Sequence, residues 1–307
     1  MRHPNGFRIR SWLFSCLVLW VAPAQAVPAG ALPPDDWREE ATKGWAELRA
    51  KCLELNWRGK ETHINSGTSK DQGETFDNRI SNISFLRNGN EFFLININEI
   101  ERFNSKARPG DIVVSPGNQT SIGMNSSYVF EVVRPQAGRP FTLRHRAFGE
   151  KVVPHAIMFR LSSYVDFMVS IRSKEDLAEM VAAPGFHVQA VEDVTEAGGK
   201  YVRVRFTKEA NKENVGVKSG WLMLDPKCHW IVKESDVLWT NGQKFHKVCE
   251  YDVDEMGFPA LKKTSLTMEA SRGNESSLHR YSIDFSEWKY TRPDKKEFYL
   301  PRFDLPE

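Results

Sequence analysis

Beyond Asp35 the first ordered pattern is apolar residues at steps of three and four: Trp37, Ala41, Trp45, Leu48, Cys52 and Leu55. That spacing predicts an amphipathic helix, capped by Asp35 or Asp36, whose single apolar stripe covers a sheet. From about Trp57 the pattern changes to short alternating runs separated by turn dipeptides. Asn88-Gly89 lies between two such runs, and a two-residue turn there sets Phe85 opposite Phe92 and Ile83 opposite Leu94. Further strands are expected over 111–115, 127–134 and 141–146. Gly198-Gly199 separates 188–195 from 201–207, where Val202, Val204 and Phe206 alternate with Arg203 and Arg205. Alternation of this kind leaves one face of the strand wet.

The strongest register signal is near the C-terminus. Residues 221–224 precede a turn at Asp225-Pro226, and Asn241-Gly242 joins 229–240 to 243–253. A two-residue turn would set Asp236 against Lys247 and Lys233 against Glu250. Leu238 would then face Phe245, Val232 would face Tyr251 and Trp230 would face Val253. A last strand is expected over 277–289, before a polar, proline-containing tail. Two helical signals interrupt the strands. One covers 154–168, with Met158, Leu161, Val165 and Met168 on one face; the other covers 174–183, capped by Ser173 with Asp176 three residues on. Long runs of strands with few helices predict an α+β protein, an antiparallel sheet covered on one side. No linker splits it, so one domain over 35–295 is expected, followed by a tail over 296–307.

The N-terminus has its own signature. Arg2, Arg8 and Arg10 form a basic start, 12–22 an apolar run, and Ala24-Gln25-Ala26 a small-residue cleavage site. This predicts a signal peptide over 1–26, cleaved after Ala26, then a linker over 27–34 and a periplasmic or secreted mature chain. The eleven-residue run is too short to span a hydrocarbon core of about 30 Å as a helix. Cleavage changes the charge balance. Of 42 basic residues, three leave with the signal peptide, and the remaining 39 face 40 acidic ones. That excludes a general nucleic-acid binder, which needs a basic surface to displace counterions. Cys52, Cys228 and Cys249 remain, an odd number that permits at most one bridge. Asn-x-Ser/Thr sequons at Asn82, Asn118, Asn125 and Asn274 matter only where the host glycosylates.

Catalytic and metal patterns are sparse. The histidines show no His-Glu-x-x-His or closely spaced pair. Cys228, His229, His246 and Cys249 fall within 22 residues. In the two-residue register, however, His229 stands roughly 26 Å from His246 and 17 Å from Cys249, too far to share an ion. Asp252, Asp254, Glu255 and Gly257 resemble half a calcium loop without its distal glutamate, and read better as a hairpin turn. No Gly-x-Ser-x-Gly elbow and no glycine-rich phosphate loop occurs. No metal or cofactor is expected. What the chain does supply is nine Trp and 19 Phe, which either fill a core or line a cavity for an acyl chain or apolar peptide.

Several segments carry a family resemblance: 125–132 (NSSYVFEV), 221–226 (WLMLDP), 230–234 (WIVKE), Glu250-Tyr251 with Gly257-Phe258-Pro259, and the tail motifs 298–300 and 303–307. They resemble a family of uncharacterised exported planctomycete proteins, itself distantly similar in fold to the lipoprotein carriers LolA and LolB. The tail departs from the family pattern at Asp304, where glycine is usual. The resemblance implies a curved antiparallel half-barrel closed by a few helices, with an apolar ligand class, and it transfers no functional residue. Together these readings predict a monomeric, non-catalytic periplasmic binding or carrier protein for a lipid, a lipidated protein or another apolar ligand, with peripheral membrane contact or none. The expected cavity residues are Met158, Leu161, Val165 and Met168 on a covering helix, and Trp230, Val232, Leu238, Phe245 and Tyr251 on the sheet. The alternatives are a secreted hydrolase with dispersed catalytic residues and an envelope-stress sensor that binds a partner protein.

Overall fold

The computed structural model describes residues 36–69, 73–90, 92–104, 118–148, 168–171, 176–209, 216–272 and 275–307. The signal-peptide segment, the expected strand over 111–115 and nearly all of the helix over 154–168 lie outside the described residues.

The first described element is helix α1 (Asp36–Lys51); all six residues of the expected stripe are buried, but the helix ends before Cys52, and Leu55 falls on the next strand. Six strands follow: β1 (Glu54–Ser69), β2 (Gly73–Asn88), β3 (Phe92–Asn104), β4 (Asn118–Met124), β5 (Tyr128–Arg134) and β6 (Thr142–Phe148). After the short helix α2 (Leu177–Ala182) come β7 (Phe186–Glu196), β8 (Gly199–Lys208), β9 (Val217–Asp225), β10 (Ile231–Trp239), β11 (Lys244–Val253), β12 (Pro259–Arg272) and β13 (Glu275–Lys289). The thirteen form one open, curved antiparallel sheet in the order β6-β5-β4-β3-β2-β1-β13-β12-β11-β10-β9-β8-β7. Two meanders are thus joined where the first strand pairs with the last.

Three hairpins differ in detail from the sequence reading. Across the Asn241-Gly242 turn, Val237 faces Phe245 and Ser235 faces Lys247, one residue away from the expected register. Trp239 and Gln243 close the hairpin, with Gly242 N–H donating to the Trp239 carbonyl, and only Gly242 (φ 82°) is left-handed. The connection is therefore a three-residue loop ending in a left-handed glycine, where the sequence reading had a two-residue turn, a type that needs positive φ at both residues. At Gly89 the strands close on Asn88 and Phe92, so Phe85 faces Ile95 and Ile83 faces Ile97. The two-residue turn with both residues at positive φ occurs instead at Ala197-Gly198 (φ 48° and 80°), between β7 and β8. Strand β4 has no counterpart in the sequence reading, and neither has β12, from Pro259. In β12 the Lys, Thr, Ser and Glu content blurs the alternation, and Pro259 takes the first strand position, where no ladder N–H is needed.

Apolar side chains gather on both faces. The main core lies between α1, α2 and the face carrying Trp57, Phe85, Ile283, Leu222 and Val204. A second core forms on the opposite face, where Phe92, Leu94, Tyr128, Phe130 and Val132 meet Phe298, Leu300 and Phe303 of two short 3-10 turns, Lys295–Phe298 and Leu300–Phe303. The C-terminal segment, read as a polar tail, is held as a strap. Asn125 Nδ2 donates to the Phe298 carbonyl at 3.0 Å, and the Tyr128 hydroxyl donates to Glu307 Oε2 at 2.5 Å.

Candidate functional site

The face covered by α1 and α2 is built around a strained turn. Asp225 at the end of β9 accepts the backbone N–H groups of Cys228 and Trp230, and His229 and Trp230 both take left-handed backbone conformations (φ 51° and 58°). Two consecutive non-glycine residues in that region are costly and persist only where the surroundings hold them. Helix α1 does the holding. Trp45 Nε1 donates to the Trp230 carbonyl at 2.7 Å, inside the core. Gly44 lets the helix come this close, since a Cβ there would stand 2.7 Å from the His229 carbonyl oxygen. The His229 ring stacks on Phe258 with centroids 4.3 Å apart and meets Glu47 at 3.0 Å.

Helix α2 is shorter than expected, and its cap is Asp176, whose carboxylate accepts the Glu179 N–H at 3.1 Å. The same carboxylate pairs with Arg49, tying α2 to α1. Ser173 lies outside the described residues. Just ahead of α2, Met168, Val169, Ser170 and Ile171 lie buried across β10 and β11. The Met168 carbonyl accepts the Val232 N–H, and the Ser170 carbonyl accepts from Lys247 Nζ at 2.8 Å.

The expected cavity residues separate into three groups. Met168, Trp230, Val232 and Phe245 belong to the same buried cluster, and Tyr251 packs against its edge. Leu238 does not join them. The one-residue change of register turns it to the other face of β10, opposite Lys244, while Val237 takes the place beside Phe245. Met158, Leu161 and Val165 lie outside the described residues.

Sequence reasoning missed the other half of this face, on β1, β2, β3, β12 and β13. Near the α1 end it is aromatic: Trp57 stacks on Phe85 and Trp288 and meets the edge of Phe285 at 5.1 Å. Ile97, Leu266, Met268, Tyr281 and Phe285 continue it as half-buried side chains. Farther along the strands it becomes polar. Glu61, fully buried, pairs with Arg79 at 2.8 Å and accepts from the Tyr281 hydroxyl at 3.4 Å. His63 lies between His279 and Tyr281, and burial, then Arg79, hold its pKa below the usual histidine value. The signal for these residues was present as alternation in β1, but it is visible only once β13 is paired to it.

The reactive groups near the turn are held in their neutral forms. Burial, Asp225 and Asp254 push the Cys228 thiol up to about 12. Burial and a 2.5 Å hydrogen bond to Asp225 raise the Tyr251 hydroxyl well above the usual phenol range. A thiol so placed is a poor nucleophile and a poor metal ligand. His229 and His246 have separate partners, the first Glu47 and the second Glu234 and Asp236.

Fold and site together define an open, curved antiparallel sheet with a broad apolar face under the two described helices. No family model matches the chain, and no curated protein sequence matches it. Among solved structures it is similar to a domain from Vibrio parahaemolyticus assigned to outer membrane lipoprotein sorting, at 11% identity over 87% of this chain and 100% of that one, TM-score 0.40. It is also similar to a DUF1329 family protein from Desulfovibrio piger, at 13% identity over 86% and 98% of the two chains, TM-score 0.41. A LolA superfamily protein from Nitrosomonas europaea matches at 13% identity over 86% and 98%, TM-score 0.35.

Proposed function

We propose that the chain is a non-catalytic, extracytoplasmic protein that binds a lipid, a lipidated protein or another apolar ligand on the helix-covered face of its sheet. The observation that carries this reading is a mismatch of widths. Thirteen strands spaced about 4.8 Å apart span roughly 58 Å, whereas the described helices, of 16 and six residues, reach about 24 and 9 Å. Ile97, Leu266, Met268, Tyr281 and Phe285 are half-buried and keep part of their apolar surface open. An acyl chain laid on them gains about 0.8 kcal/mol per methylene removed from water. The sequence features of a signal peptide support an extracytoplasmic location.

Native mass spectrometry of the protein purified from its host's envelope fraction tests the reading. The expected spectrum carries an added mass that organic extraction removes and identifies as lipid. A bare mature chain, together with no uptake of an environment-sensitive fatty-acid probe, overturns it.

A further inference from the structure

The opposite face of the sheet holds a second concavity, of about 890 Å³, beside the C-terminal strap. Its floor is one transverse row of cross-strand partners running through six strands: Asp284, Lys60, Asn82, Asn98, Gln119 and Arg134. The next row adds Arg58, Ser84, Asn96 and Ser121. Arg302 and Phe303 of the strap, with Phe141, form one wall. Six strands at about 4.8 Å make a trough roughly 24 Å long, running across the strands.

An exposed sheet face is ordinarily polar, but this one has an unusual composition and unspent capacity. Asn and Gln are poor strand formers, and three of them stand side by side within β2, β3 and β4. In the second row the polar groups satisfy one another: Asn96 donates to Ser84 at 3.0 Å and accepts from Ser121 at 2.7 Å. In the first row Asn82 and Asn98 make no side-chain hydrogen bond among the described residues, and both are exposed. The charges are also unbalanced. Arg58 pairs with Glu287 and Arg302 with Glu297. Lys60 and Arg134 have no ion-pair partner among the described residues, and Asp284, across from Lys60, is engaged by Lys263 at 2.9 Å. Arg134 gives one N–H to Gln119, lays its guanidinium 4.7 Å from the Phe141 ring centroid, and keeps its Nε without a partner.

We propose that this trough binds an acidic carbohydrate chain. The amides of Asn82 and Asn98, side by side with that of Gln119, match a succession of hydroxyl groups, which both donate and accept, as amides do. The cations Lys60 and Arg134 stand toward opposite ends of the row and match carboxylates spaced along an extended ligand. The site lies on the face away from the apolar ligand surface and stands or falls independently of the carrier reading.

Titration calorimetry of the full mature chain with a short oligogalacturonate tests it, with a maltooligosaccharide and inorganic sulfate as comparison probes. The expected result is binding of the acidic oligomer, none of the neutral one, and no displacement by sulfate at matched ionic strength. The double variant Lys60→Gln/Arg134→Gln is expected to weaken binding about tenfold or more, the loss of two charge-assisted contacts. The single exposed Lys60→Glu should weaken it as well, at a small cost in stability from facing Asp284, while Lys262→Glu, on a solvent-facing part of β12, should not. Absence of oligogalacturonate binding, equal binding of the neutral oligomer, full displacement by sulfate, or indifference to Lys60→Glu would each overturn the proposal.

Discussion

Gly242 and Asn241 look interchangeable as turn residues, yet only one of them is held in a conformation that needs glycine. Gly242 has φ 82° with open space around it, while Asn241 stays at negative φ and accepts the Gln243 N–H with its side chain at 3.1 Å. Gly242→Val is therefore expected to cost about 1–3 kcal/mol through backbone strain. Asn241→Ala should cost about 1 kcal/mol or less, the loss of two solvent-exposed hydrogen bonds to Gln243. Chemical denaturation midpoints of the two variants check this; equal losses would restore the two-residue turn. Asp304 is a parallel case. It is a non-glycine residue held left-handed at φ 58°, closing the last 3-10 turn. His63 supplies a residue-level prediction of pH dependence. Its folded pKa lies below the ordinary value of 6.5, so on acidification the unfolded chain takes up a proton that the folded chain resists. Stability should be full above pH 6.5 and fall as the pH drops through 6.5 toward the lower folded value. His63→Gln should flatten that slope in denaturation curves taken between pH 5 and 8. An unchanged slope would mean that another group titrates.

Among the elements, α1 was the most legible from sequence, because one apolar stripe at helical spacing admits a single orientation against a sheet. Apart from β4 and β12 the strands were legible as strands, but their partners and registers depended on loop length, and a loop of three residues shifts every pair by one. Leu238 shows the consequence: hydrophobic and well placed in the alternation, it was read onto the wrong face. The C-terminal strap was hidden for a different reason. Its Phe298, Leu300 and Phe303 are too few and too close to prolines to show any period, yet they are buried against β3 and β5. Deleting residues 298–307 should therefore lower stability by several kcal/mol, given about 1.5–3 kcal/mol for each large apolar side chain removed from the core. A truncated chain with wild-type midpoint would show that the strap contributes nothing to the fold.

At the scale of the whole molecule, the sheet carries apolar side chains of two kinds, and a single pair of substitutions distinguishes them. Leu222 on β9 is fully buried in the main core, and Leu222→Ala should cost about 2–5 kcal/mol with no specific effect on ligand uptake. Met268 on β12 is only half-buried. Met268→Gln should cost little stability and weaken fatty-acid probe binding, because its amide lies in the path of the ligand and not in a sealed core. Probe fluorescence together with one denaturation curve for each variant decides the matter. A large stability loss at Met268 without any probe binding by the wild type would leave a packed scaffold.

The sequence by itself determined the classes of element, the one-sided helix, the run of strands that makes an antiparallel sheet, and the apolar face of most of them. All of these are written in spacings of two to four residues, which local backbone geometry converts directly into faces. Only the tertiary structure decided that β1 lies beside β13, that Glu61, Arg79 and Tyr281 meet, and that Lys60, Asn98 and Arg134 share one row. Those neighbours are separated by up to some two hundred positions in the chain. Their meeting depends on cumulative register across several hairpins, in which each loop length counts and no local period records the sum.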